Sequence, residues 1–211
     1  MIHDYSCALV LLSGGLDSAV ALAWAQHRFQ KIKAISYQYH LRPFRERLAV
    51  FRLLQCFPAD LIELPLPFLK EAADFDSKLS NKAPEGYISN RNMIFYSIAI
   101  YFAEMHECTA IVGGHTAEDQ EAFPDAGSRF VHALQGLANQ ALQIRTVQIE
   151  LPLAGYTKLQ VLEKAVEWKI PLEWTWSCYW NQREPCGICI SCTERAEAFR
   201  NLGIEDPLCT T

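Results

Sequence analysis

Cys7-Ala8-Leu9-Val10-Leu11-Leu12-Ser13-Gly14-Gly15-Leu16-Asp17-Ser18 is the stretch on which the fold turns. Its first six residues are apolar without alternation, the pattern of a strand covered on both faces. Residues 18–28 are rich in alanine and leucine and lack proline, which predicts a helix. A buried strand that enters a helix through a glycine turn is the opening unit of a parallel α/β sheet. The turn also has a chemical use. Glycines let the backbone approach an anion closely, and a helix N-terminus presents unpaired N–H groups to it. Ser13 and Ser18 add hydroxyl donors. The turn lacks the lysine of a GxxxxGK[ST] loop, so it suits phosphate without the contact to a transferable γ-phosphate. Asp17 cannot donate to phosphate and reads as a magnesium ligand or a structural brace. A plain glycine-containing strand-to-helix turn is the bland alternative.

Strand and helix patterns alternate outward from this unit. Strands are predicted over 32–39, 60–64, 109–112 and 147–151, and helices over 45–56, 92–105, 129–140 and 156–168. Such alternation implies crossover connections and a doubly wound, mostly parallel sheet with helices on both sides. Ligands on such sheets lie beyond the carboxyl ends of the strands. That directs attention to the loops 13–17, 64–91 and 113–128. The loop 64–91, with Pro65, Pro67, Pro84 and Gly86, has the length of a lid, a binding loop or a disordered segment. After about residue 172 the chain becomes rich in tryptophan, cysteine and proline. A division into a domain over 1–171 and a small appended module over 172–211 is therefore expected.

The 211 residues are half hydrophobic and 20% charged, a balance of globular chains rather than disordered ones. A net charge of -5 argues against a general nucleic-acid coat, while leaving room for a small anion in a local basic pocket. Residues 1–5 are polar and no apolar stretch approaches the roughly 20 residues of a membrane helix. A cytoplasmic chain with no secretory leader and no membrane partner is expected. Of the eight cysteines, Cys7, Cys56 and Cys108 stand singly in apolar segments and are expected to be separate buried thiols; Cys209 receives no role. Cys178, Cys186, Cys189 and Cys192 crowd into one stretch with spacings of seven, two and two residues. Four thiolates complete a closed tetrahedral zinc shell of structural type, and Gly187 would ease the turn. An iron–sulfur cluster is the other use of four thiolates.

Ser-Gly-Gly-x-Asp-Ser resembles the signature loop of the ATP pyrophosphatases, which adenylate a substrate oxygen and release pyrophosphate. Combined with the C-terminal cysteines, it resembles the 7-cyano-7-deazaguanine synthase (QueC) family. Further stretches carry the likeness: Tyr39-His40-Leu41-Arg42 with Glu46; Asn90-Arg91-Asn92-Met93-Ile94-Phe95; Gly114, Asp119, Pro124 and Asp125; Leu151-Pro152-Leu153 with Lys158; and Thr175-Trp176-Ser177-Cys178-Tyr179. The chain departs from the family at Leu16, His40 and Pro43, at Glu121-Ala122-Phe123, and at Ala126-Gly127.

The resemblance implies an adenine nucleotide α-hydrolase-like fold and an ATP-dependent carbon–nitrogen ligase. It implies ATP contacts at Leu12, Ser13, Gly14, Gly15, Leu16, Asp17, Ser18, Ala19 and Tyr37. Asp17, Ser18, Arg91 and Lys158 would serve catalysis. Arg91, Asn92, Gly114, Asp119 and Asp125 would hold the substrate, and Cys178, Cys186, Cys189 and Cys192 would hold structural zinc, with magnesium escorting ATP. The implied reactants are 7-carboxy-7-deazaguanine and ammonia, giving the nitrile through an amide; the chain is expected to be a homodimer. The altered 121–127 segment leaves open a relative that passes the acyl group to a protein amine. A tRNA-modifying pyrophosphatase and a non-catalytic zinc-stabilised nucleotide-binding module are further alternatives.

Several residues have a plainer reading as well. Arg91 could be solvated with Asn92 as a helix cap. Glu118 and Glu121 read as solvated acids. His40 and His115 read as incidental, and Trp174, Trp176 and Trp180 as packing. Lys158 opens a helix, where the dipole disfavours it and an anionic partner would not.

Overall fold

The sheet is built around its first strand. In the computed structural model, which describes residues 7–40, 42–69, 88–180 and 183–209, β1 (Cys7–Leu11) sits at the centre of five parallel strands. The others are β2 (Lys31–Gln38), β3 (Asp60–Pro65), β4 (Ala110–Val112) and β5 (Gln148–Glu150). The order is β3-β2-β1-β4-β5, with Cys7 opposite Lys31 and Ala8 opposite Ala110. The unbroken apolar run in β1 follows from this place, because both its faces are covered. Ala8, Val10 and Leu12 point into a core with α1 (Leu16–Gln26) and α6 (Lys158–Glu167). Cys7 and Leu9 point into a second core with α3 (Arg91–Met105) and α5 (Ser128–Ala141). Helix α2 (Phe44–Cys56) follows β2 and buries Ala49, Val50 and Leu53.

Most departures from the expected elements occur where polar or cysteine-rich composition masks helix. Helix α1 begins at Leu16, so Leu16 and Asp17 lie in its first turn and not in the loop. The expected loop 113–128 contains α4 (Ala117–Ala122) and a 3-10 turn over Pro124–Ala126. Within the C-terminal module, α7 (Ile190–Leu202) packs against α6 and ends at Gly203 in the left-handed conformation, φ 73. Its Arg195 is buried and forms a two-pronged pair with Asp206, at 2.7 and 2.9 Å. Arg195 also donates to the Thr175 hydroxyl at 2.8 Å, tying the tail to the start of the module. Cys7 and Cys108, expected as separate thiols, are paired in a disulfide whose Cα atoms are 4.5 Å apart. The parallel register of β1 and β4 brings them together. Cys56, expected to be buried, is exposed. Residues 70–87 of the expected lid loop and Leu41 lie outside the described residues. Among the described residues, no helix is long and apolar enough to cross a membrane.

Candidate active site

The phosphate-type loop is locked by its own hydroxyls and by α2. Ser18 Oγ accepts from Gly14 N–H at 3.2 Å and from Ser13 Oγ at 3.0 Å, and donates to Gly15 O at 2.9 Å. Gly14 holds φ +100, and a Cβ there would lie 2.3 Å from Glu46 O. Only glycine combines that backbone with so close an approach to α2. Arg42 braces the loop from the side, donating to Ser13 O, to Tyr37 O at 2.6 Å and to Ser36 Oγ at 2.9 Å. Its Nε pairs with Glu46 Oε2 at 3.1 Å. Burial pushes the Glu46 carboxyl up, against the pull of Arg42. Gly114, past the end of β4, packs so tightly that a Cβ would lie 2.9 Å from Asp17 O.

Lys158 is the cationic centre of the site. Its Nζ is 2.6 Å from Asp17 Oδ2 and 3.9 Å from Asp119 Oδ2. Burial presses the ammonium pKa down, but the two carboxylates lift it further, and it ends well above its ordinary value. Burial raises Asp17, with Lys158 opposing. Burial also works to raise Asp119, but Lys158 and the Thr116 N–H outweigh it, so that carboxyl falls below its ordinary range. Asp119 and Thr116 form a capping box at the start of α4, with Thr116 N–H donating to Asp119 Oδ2 at 2.9 Å. Glu118, expected to be solvated, accepts from the Lys158 backbone N–H at 2.9 Å. A carboxylate there answers the helix N-terminus that Lys158 itself does not suit. Asp17 Oδ1 and Glu118 Oε2 are buried without a hydrogen-bond partner.

The opposite wall comes from α3. Arg91 begins that helix, its guanidinium 6.0 Å from the Phe95 ring centroid. Tyr37 stacks on Phe95 at 4.3 Å and donates its hydroxyl to Phe95 O at 2.7 Å. Asn92 is buried, and its backbone N–H and side-chain amide both donate to Asp125, at 3.0 and 3.4 Å. Asp125 therefore fixes the start of α3.

A cavity of about 650 Å³ opens at the carboxyl ends of β1, β2 and β4. It brings together Leu12, Ser13, Gly15, Leu16, Asp17, Ser18, Tyr37, Arg91, Asn92, Gly114, Asp119 and Lys158. Gly14, Ala19 and Asp125 do not line it. The C-terminal module supplies a side that sequence reasoning missed: Tyr179, Trp180, Ser191 and Glu194 line the cavity with Cys178. Burial raises the Glu194 carboxyl. Nothing local in the sequence marks Glu194, because only the packing of α7 on α6 brings it here. Trp180, expected as packing, is half exposed at this rim. His115, read as incidental, also lines the cavity; burial holds its imidazole below the ordinary value, and its Nε2 has no partner.

The sulfurs of Cys178, Cys186, Cys189 and Cys192 lie within 4.8 Å of one another, with Cys186 and Cys192 at 3.9 Å. A zinc tetrahedron with bonds of about 2.3 Å has sulfur–sulfur edges of about 3.8 Å, so the donor set fits. Backbone N–H groups of Trp180 and Cys186 donate to Cys178 Sγ at 3.4 Å, and that of Cys189 to Cys186 Sγ at 3.3 Å. Such donors favour thiolate over thiol. Gly187, at φ +72, makes the turn between ligands.

The family model of the queuosine biosynthesis protein QueC matches residues 7–203. The 7-cyano-7-deazaguanine synthase of Sulfurovum sp. (strain NBC37-1) is 32% identical, over 95% of this chain and 96% of its own. That of Methanosarcina barkeri (strain Fusaro / DSM 804) is 34% identical, over 95% of this chain and 96% of its own. Among solved structures, a predicted subunit of tRNA methyltransferase from Methanocaldococcus jannaschii superposes with a TM-score of 0.56 at 14% identity. The match covers 98% of this chain and 92% of that one, a likeness of fold alone.

Proposed function

Because the chain belongs to the family of the queuosine biosynthesis protein QueC, whose members are ATP-dependent carbon–nitrogen ligases, we propose that it converts 7-carboxy-7-deazaguanine and ammonia to 7-cyano-7-deazaguanine. The observation that carries this reading is the single cavity uniting the phosphate-type loop with Lys158 and Arg91. A carboxylate oxygen of the deazapurine attacks the α-phosphorus of ATP, and pyrophosphate leaves. Ammonia then displaces AMP from the acyl-adenylate to give the amide. A second ATP adenylates the amide oxygen, and loss of AMP gives the nitrile.

The chain's part in this is positioning and charge compensation. The loop amides and the Ser13 and Ser18 hydroxyls receive phosphate. Lys158, held by Asp17 and Asp119, faces the negative charge that develops there. Arg91 and Asn92 orient the deazapurine from the α3 side. Magnesium accompanying ATP would draw on Asp17 and Asp119, and the unpartnered Asp17 Oδ1 is an oxygen suited to it. Zinc in the four-cysteine site would stabilise the module without touching the reaction. The chain then divides near residue 171 into a nucleotide domain and a metal module.

Phe123 lines the cavity at the centre of the departure from the family pattern. It favours a second reading, in which the same acyl-adenylate is passed to a bulkier amine, such as one on a protein.

Incubation with ATP, the carboxylate and ammonium should give the nitrile by mass spectrometry, with AMP and pyrophosphate. Asp17→Asn should lower ATP–pyrophosphate exchange about 100-fold in a chain that still folds. Formation of ADP and phosphate would exclude the adenylation reading. Arrest at the adenylate, with acyl mass appearing on a protein, would select the second acceptor.

A further inference from the structure

Trp176 joins the metal segment to the phosphate-type loop. It is 4% exposed and lies in a small core with Ala49 of α2 and with Cys178, Cys189 and Cys192. Its backbone N–H donates to Gly14 O at 2.9 Å. Its indole Nε1 donates to the carbonyl of Cys178, a metal-type ligand, at 2.9 Å. Its own carbonyl lies 3.5 Å from where a Cβ on Gly15 would stand. The Arg45 guanidinium sits over the ring at 5.6 Å. Gly14 is thus gripped between α2 on one side and Trp176 on the other.

We infer that Trp176 is a positioning residue that couples the four-cysteine segment to the nucleotide loop, so that metal retention and nucleotide binding strengthen each other. The inference rests on the reading of residues 12–19 as the ATP site. It gives the metal segment a role beyond stability: it sets the geometry of the loop. Coupling between two sites is reciprocal, so either ligand must report on the other.

The test uses the zinc-loaded protein and α,β-methylene ATP, whose α–β bridge cannot be cleaved. Zinc affinity is measured by chelator competition with and without the analogue, and analogue affinity by calorimetry. The analogue should raise zinc affinity at least about fivefold. Trp176→Phe keeps the ring in the core and removes the bond to the Cys178 carbonyl. It should retain one zinc by elemental analysis, bind the analogue more weakly, and bring the coupling factor close to one. Its KM for ATP should rise while kcat holds. Ile188→Ser, at a position 83% exposed in the same segment, should leave the coupling at the wild-type value. Analogue binding with no change in zinc affinity overturns the inference and leaves the ATP site standing. Failure of the wild-type protein to bind the analogue overturns both. Equal coupling in wild type and Trp176→Phe removes Trp176 as the carrier.

Discussion

The phosphate-type loop and the four-cysteine segment lie on either side of one cavity and are held by opposite means. The loop hangs between β1 and α1, whose residues fill the main core, and its shape is fixed by packing: Gly14 against Glu46 O, Gly114 against Asp17 O. The cysteine segment has only a minor core of its own, Trp176, Ala49 and three of the sulfur-bearing residues. Ligand geometry must supply there what apolar burial supplies elsewhere. The loop should therefore be intolerant of an added atom and the segment intolerant of a lost ligand.

The largest effect expected on this contrast is at the sulfurs. Cys189→Ser removes a buried ligand and should forfeit most of the roughly 10 kcal/mol that a structural zinc site contributes to a small module. Elemental analysis should find no stoichiometric zinc, and limited proteolysis should cut within residues 172–209 while the sheet survives. Iron and sulfide in the wild-type protein, or zinc retained by the variant, would break the contrast from this side.

Gly14→Ala tests the other side. The new methyl would sit 2.3 Å from a backbone oxygen at φ +100, and the expected cost is about 3 kcal/mol. The melting temperature should fall and ATP–pyrophosphate exchange should be lost, with zinc content unchanged. A variant as stable and active as wild type would mean that packing does not fix the loop.

The same contrast governs what could be read from the chain. The β1–loop–α1 unit was legible because a contiguous apolar run and adjacent glycines carry their meaning locally. The alternation of elements predicted a parallel sheet, but not that β1 would be central, since strand order depends on which edges meet. Helix α4 was hidden by its acidic composition, with Glu118 and Glu121 reading as solvated acids in a loop; the signal was the Thr116–Asp119 capping box. Helix α7 was hidden by the cysteines, although Ala196, Ala198 and Phe199 followed by Gly203 carry a helix and its stop. The Cys7–Cys108 pair spans 101 residues and exists only through the β1–β4 register. Glu194 and Trp180 belong to the cavity only because the module packs against the sheet's helices, a tertiary fact with no local trace.

The smallest effect expected sharpens the comparison at the place where loop and sheet meet. His115 lines the cavity beside Tyr96, ring centroids 5.7 Å apart, and its Nε2 is buried without a partner. Burial lowers its pKa from 6.5, and Arg91 and Lys158 press the same way against Asp119 and Asp125. The folded chain therefore refuses a proton that the unfolded chain accepts. This contribution to stability is fully present above pH 6.5 and is lost as pH falls below it towards the folded value. Asp17, Glu46 and Glu194, raised by burial, act in the opposite sense. They take up protons earlier in the fold than in the unfolded chain, so they do not produce a loss on acidification. Asp119, lowered from 3.8, loses its contribution only at more acid pH. His115→Gln keeps a polar side chain and removes the titration. Thermal melts from pH 7.5 to 5 should show a decline of a few degrees in wild type, beginning near pH 6.5, and a flatter limb in the variant. Identical limbs would mean that the His115 ring is protonated in the fold as readily as in water, and that the cavity floor is wetter than its packing implies.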